Sequence, residues 1–169
     1  MYIRKTTTDD LAAVMGIYAE AREFMRNSGN PDQWGDNHPT QAMIERDIQK
    51  GASYVCVKDN KIVAAFYFSI EDDPTYAKID GAWLNDKAYG VVHRMARGKG
   101  GTGTGEFCLK WCLAQHPNIR IDTHRDNAPM LNLLERLGFI YCGIIWTRVS
   151  EERLAFAQAL QSKITEPAI

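Results

Sequence analysis

Ala96 to Phe107 reads ARGKGGTGTGEF: five of the twelve residues are glycine, two are threonine, and Arg97 and Lys99 are the only cations. Backbone with so little side chain exposes its N–H groups and lets a ligand approach closely. A helix starting just after it would add its unpaired N-terminal N–H groups and the positive end of its dipole. Those residue types in that order suit a phosphate. Three further residues could move a proton: His93 just before the loop, and Asp122 and His124 after it. An ordinary imidazole titrates at about 6.5, which suits a general base for an amine.

Two familiar nucleotide loops fit in part. Gly98 to Gly103 has the glycine step of GxxxxGK[ST], but Thr104 and Gly105 stand where the Lys and Ser/Thr must be; starting at Gly100 puts Glu106 at the Lys position. Gly98-x-Gly100-x-x-Gly103 matches GxGxxG, with Asp122 some twenty residues on. Only 47 residues follow Asp122, too few to finish a doubly wound sheet, and a hairpin-rich half precedes the loop.

The elements that must hold these residues are legible as follows. Tyr2–Thr6 reads as a strand. Thr8 reads as the cap of a helix carrying Asp9 and Asp10 in its first turn, with an apolar stripe of Leu11, Val14, Met15, Tyr18 and Phe24. Asn30 to Pro39 is irregular, and Thr40 caps a second helix ended by Gly51. Ser53–Lys58 and Lys61–Ile70 form a hairpin about Asp59-Asn60, followed by a polar turn at Glu71 to Pro74. Tyr76–Asn85 and Ala88–Ala96 read as strands, Gly105–Gln115 as a helix, Asn118–Thr123 as a strand and Ala128–Leu137 as a helix. Phe139–Arg148 reads as a strand and Glu151–Ser162 as a last helix with a frayed tail. The fold class expected is α/β (α+β), one domain over residues 1–169, with a twisted mixed, mostly antiparallel sheet and helices on both faces.

A chain of 169 residues, 45% hydrophobic and 24% charged, suits one core, and a formal net charge of -1 gives no electrostatic case for nucleic acid. No 18-residue apolar run exists and the N-terminus lacks a signal-peptide core, so a cytoplasmic protein with no membrane partner is expected. Cys56, Cys108, Cys112 and Cys142 make no CxxC pair, and no HExxH or Gly-x-Ser-x-Gly occurs. Cys108 and Cys112, one helical turn apart, read as buried thiols, and no metal is expected.

VVHRMARGKGGTGTGEFCLKW (Val91 to Trp111) and NAPMLNLLERLGF (Asn127 to Phe139) together resemble the GNAT superfamily of acyl-CoA N-acyltransferases, over nearly the whole chain. The superfamily loop runs Gln/Arg-x-x-Gly-x-Gly/Ala. Arg97-Gly98-Lys99-Gly100 starts like it before Gly101-Thr102 breaks the pattern, whereas Gly100-x-x-Gly103-x-Gly105 places the helix correctly and leaves Arg97 and Lys99 to supply charge. The resemblance implies acetyl-CoA as cosubstrate. Met95 and Ala96 would offer backbone to the pantetheine arm and the acetyl carbonyl, and Gly100, Gly101, Thr102, Gly103, Thr104 and Gly105 would hold the pyrophosphate. Asn127 would contact the arm, and Arg136 a phosphate. It also implies an amine acceptor, small molecule or peptide, with Trp34 and Tyr18 as candidate acceptor contacts; a homodimer is allowed for. Many relatives carry a thiolate-protonating tyrosine at the position of Leu134, so Leu134→Tyr is expected to leave affinity nearly unchanged and to raise turnover. A binding protein without catalysis is the alternative.

Overall fold

The computed structural model describes residues 1–159. Its strands are β1 (Tyr2–Lys5), β2 (Ser53–Lys58), β3 (Lys61–Ile70), β4 (Asp80–Gly81), β5 (Gly90–Arg97), β6 (Asn118–Thr123), β7 (Ile140–Trp146) and β8 (Glu152–Ala159). The helices are α1 (Leu11–Asn27), α2 (Gln41–Gln49), α3 (Thr104–Gln115) and α4 (Ala128–Arg136). The strands form one sheet in the order β1-β2-β3-β5-β6-β8-β7-β4. β5 and β6 pair in parallel, and the other neighbours are antiparallel. This is the mixed, mostly antiparallel sheet expected, not the doubly wound sheet that a dinucleotide fingerprint requires.

Helices cover both faces. Val14, Ile17, Tyr18, Ala21 and Met25 recur at helical spacing on α1 and pack, with Ile44 of α2, on Val55, Val57, Ala65 and Ala96. The opposite face carries Cys108, Leu109 and Cys112 of α3 and Leu133 and Leu134 of α4 against Phe66, Phe68, Val92, Ile119 and Ile121. Each fully buried aliphatic side chain there contributes roughly 1.5–3 kcal/mol.

Four readings need correction. Thr7, not Thr8, begins the first helical turn: its N–H and hydroxyl donate to Asp10 Oδ2 at 2.8 and 2.9 Å, and Arg4 clamps the same carboxylate. Phe24 is exposed, because the buried stripe runs through Ala21 and Met25 instead. Within Tyr76–Asn85 only Asp80–Gly81 pairs, and Tyr76 closes a short 3-10 turn begun at Pro74. Glu152–Ala159 is a strand, not a helix, seated between β6 and β7 with partners on both sides; the rest of that reading and the tail lie outside the described residues.

Candidate active site

The site begins with a bulge and a divergence in β5. Against β3, Ala65 pairs with Ala96 but Tyr67 with His93, so β5 spends one residue more than its partner. Arg94 sits in that step with φ 51°, a left-handed conformation costly for a side chain. Two bonds hold it: Tyr18 donates its hydroxyl to the Arg94 carbonyl at 3.0 Å, and the Arg94 guanidinium grips Asp47 Oδ2 at 2.7 and 3.1 Å. On its other side β5 pairs with β6 only from Gly90 to Val92, opposite Ile119 to Ile121. Beyond Val92 the two strands part, and His93 to Arg97 lose their partner on that side.

Two cavities meet at this divergence. A groove of ≈ 490 Å³ runs along the loop and the α3 N-terminus, walled by Ala96, Arg97, Gly98, Lys99, Gly103 and Thr104 among others. A cleft of ≈ 910 Å³ opens on the His93 side. Met25, Met95, Asn127 and Met130 line both, so the two cavities adjoin there.

The loop is built for close approach. Gly100 and Gly103 take φ of 82° and 79°, and a side chain at Gly101 would strike the Val63 carbonyl at 2.8 Å. Gly98 N–H donates to Val63 O and Gly101 N–H to Gly98 O, folding the loop on itself. Thr104 is buried and donates to Gly101 O at 2.6 Å, a structural bond rather than a free ligand contact. The N–H groups of Gly105 and Glu106, in the first turn of α3, have no hydrogen-bond partner among the described residues. Lys99 N–H is taken by the Glu20 carboxylate at 2.8 Å. Gly105 and Arg136 also line the groove, beside Arg97, Gly98 and Lys99, whereas Gly100, Gly101 and Thr102 do not.

In the cleft, His93 lies between two carboxylates. Its Nε2 is 2.6 Å from Asp73 Oδ2 and its Nδ1 is 3.6 Å from Asp122 Oδ1. Tyr76 donates its hydroxyl to the same Asp122 oxygen at 2.6 Å and sets its ring edge-on to His93. Burial works against the Asp73 carboxylate, but hydrogen bonds from His93 and Thr75 outweigh it and hold the group well below its usual range. An ionised Asp73 accepts, so His93 donates its Nε2 proton to it, while Nδ1 faces Asp122. Burial and the Asp122 charge push the Tyr76 phenol well above its ordinary value, keeping it a donor. Alongside, Lys50 and Tyr67 both bond Glu71. His38, half-buried on the cleft wall, is lowered to about 4 by burial and by the positive charges of Arg94, Arg153, His93 and Arg22.

The structure thus brings together His93, Asp122, Met95, Ala96, Asn127 and Trp34. It moves others away. His124 lies past the end of β6, outside both cavities, where its Nδ1 accepts Asp126 N–H at 3.2 Å and shapes the turn into α4. The alternation that would align it with Asp122 has ended by then. Tyr18 is a core residue supporting the bulge, packed edge-on to Trp34. Leu134 is fully buried against α3 and the sheet and lines neither cavity; Met130, one turn earlier, lies at the junction. Asp73, Tyr76, Asp47 and Arg94 escaped the sequence reading; no spacing links them to His93, and only the Asp73-Pro74 turn signal marked their segment.

Residues 14–139 match the family model described as Acetyltransferase (GNAT) family. This chain belongs to that family. Similar solved structures include a GNAT family acetyltransferase from Streptococcus agalactiae, with TM-score 0.87 and 27% identity over 95% of this chain and 96% of that one. A phosphinothricin acetyltransferase from Sinorhizobium meliloti, in complex with AcCoA, has TM-score 0.65 and 13% identity over 99% and 92% of the two chains. The NatC complex bound to Gag peptide and CoA contains a chain with TM-score 0.63 and 11% identity, covering 95% of this chain and 98% of that one. Comparison with curated proteins gives no match. In this GNAT chain no helix among the described residues is long and apolar enough to cross a membrane.

Proposed function

We propose that the protein is an acetyl-CoA-dependent N-acetyltransferase acting on a primary amine of a small molecule or peptide. The observation that carries this is the meeting of groove and cleft where β5 leaves β6, with His93 on the cleft side. The residues fit the cosubstrate. The α3 N-terminus presents unpaired N–H groups, and glycines open the loop for a pyrophosphate. Arg97, Lys99 and Arg136 supply positive charge along the groove. Acetyl-CoA supplies a thioester, whose acyl carbon is open to attack by a neutral amine.

Asp122 holds the incoming ammonium, and His93 Nδ1 takes its proton, while Asp73 steadies the ring through Nε2 and stabilises the imidazolium that forms. Met95 and Ala96, on the unpaired stretch of β5, bring backbone to the acetyl carbonyl, where an N–H stabilises developing negative charge. The departing thiol needs little help, since an ordinary thiol titrates at about 8.5. A second reading, a binding protein without turnover, draws on the leucine at position 134.

Free-thiol release across polyamines, amino acids, aminoglycosides and peptide N-termini separates the two. Turnover with one amine, falling on the acid side and losing that limb in His93→Gln, is the expected result. Tight CoA binding without release on the whole panel supports the second reading; full activity in His93→Gln removes His93 as the base.

A further inference from the structure

Between β3 and β5 only Asp80–Gly81 pairs with the sheet, so the turn carrying Asp73 and Tyr76 takes its position largely from side chains. β6 supplies the anchor. Asn118, Arg120 and Asp122 alternate onto one face of that strand. Arg120 and Asp122 stand opposite Ala157 and Ala155 of β8, whose small side chains leave room above them. Arg120 is buried, and its hydrogen bond goes to the Asn85 carbonyl at 2.6 Å, not to a carboxylate. Its guanidinium carbon lies 3.9 Å from the centre of the Tyr89 ring and 4.6 Å from that of Trp83. A buried cation gives up its hydration, and a methionine of similar length would fill the space without that cost. What the arginine adds is a rigid plane that fixes the rings it stacks on.

Those two rings hold the turn from both ends. The Tyr89 hydroxyl accepts the Asp73 N–H at 3.0 Å. Trp83 Nε1 donates to the Tyr76 carbonyl at 3.0 Å, with the two ring centres 5.0 Å apart. One end of the turn thereby presents Asp73 to His93 Nε2, and the other presents the Tyr76 hydroxyl to Asp122. Arg120 lines neither the groove nor the cleft, so it meets no substrate. We propose that Arg120 is a positioning residue for His93: through Tyr89 and Trp83 it fixes the turn that sets both flanking carboxylates. Its bearing on turnover rests on the reading of His93 as the base; its bearing on the His93–Asp73 bond does not.

Proton NMR of the unliganded protein, and thiol release with an amine from the panel, read these two effects separately. An imidazole N–H held by a carboxylate gives a low-field proton signal, and the one absent from His93→Gln belongs to His93. Arg120→Met keeps the length of the stem and removes plane and charge; Arg120→Lys keeps the charge and removes the plane. Both should lose or broaden the His93 signal. Both should also lower kcat by about tenfold or more, as expected when a catalytic group is misplaced, with KM for acetyl-CoA held. Tyr89→Phe, which deletes only the hydroxyl on the Asp73 N–H, should act in the same direction. Urea midpoints show which variants fold; where neither Arg120 variant does, Tyr89→Phe decides. An unchanged signal in the folded variant overturns the proposal, as does a wild-type protein without the signal. A kcat loss accompanied by an equal rise in acetyl-CoA KM also overturns it, because general loosening of the fold would do that. Loss of the signal with kcat unchanged, or in a protein that releases no thiol with any amine, sustains the positioning role and overturns the catalytic reading of His93 instead.

Discussion

Three glycines of the loop look alike in sequence and should respond differently to alanine. At Gly101 a Cβ would lie 2.8 Å from Val63 O and 3.0 Å from Gly98 O, both backbone atoms. Each of those oxygens already accepts a loop hydrogen bond, from Gly98 N–H and Gly101 N–H respectively. Relief must lengthen one or both bonds, at about 1 kcal/mol each, on top of roughly 1–3 kcal/mol for overpacking; about 2–5 kcal/mol is expected. At Gly103 the Cβ meets nothing, so only the φ of 79° opposes it, at roughly 1–2 kcal/mol. At Gly105 the contact is the tip of Leu133 at 3.0 Å, which can rotate. The helix-propensity gain of up to about 1 kcal/mol offsets that strain, leaving Gly105→Ala near neutral. Urea unfolding midpoints at constant m give the three values. Gly101→Ala should also weaken coenzyme A, since the loop must shift. A Gly101→Ala protein as stable as wild type, or a reversed order, would refute the contact reasoning.

Three further outcomes follow at His38 and Leu134. His38 is held at about 4 in the folded protein against about 6.5 unfolded, so between those values the unfolded chain binds the extra proton and stability falls as pH drops. The ceiling is about 3 kcal/mol, and screening at this half-buried site lowers it to roughly 1–2 kcal/mol. A difference curve between wild type and His38→Gln should show that loss from pH 6.5 downward and nothing above; a flat curve refutes it. Leu134→Ala should cost about 2–5 kcal/mol from the cavity it leaves, read by the same unfolding experiment. Leu134→Tyr, in place of the gain in turnover expected from sequence, should cost about 1–3 kcal/mol by overpacking and release no more thiol. A stable Leu134→Tyr protein with faster release would restore the tyrosine position as a functional one.

What the sequence disclosed, and what it hid, follows from the range of the forces involved. The loop was readable because glycine density and a following apolar helix are local signals, and α3 starts at Thr104, one residue before the Gly105 read from them. The last strand was not. Glu152 to Ala159 holds three alanines with one each of Glu, Arg, Leu and Gln, all good helix formers, yet its buried residues alternate through Arg153, Ala155 and Ala157 because β6 and β7 supply hydrogen bonds on both sides. The same holds at the site. His93 was visible as a histidine beside the loop, but the residues that orient it come from distant parts of the chain. Asp73 reaches it from a turn 20 positions away, and Tyr76 reaches Asp122 across 46.

The bulge carries this furthest. Nothing in AYGVVHRMAR marks Arg94 for a left-handed backbone, and an isolated strand would not adopt it. It persists because Tyr18 from α1 and Asp47 from α2 bond its carbonyl and its guanidinium. The strain sits in β5, and its compensation sits in α1 and α2, of which α1 also reaches the loop where Glu20 accepts the Lys99 N–H. Placing the extra residue between His93 and Ala96 turns the strand away from β6 at the one point where groove and cleft must join. The packing of α1 and α2 on the sheet therefore helps set the geometry of the proposed reaction centre. That is why Tyr18, an aromatic that reads as an acceptor contact, belongs to the site only through the backbone it holds.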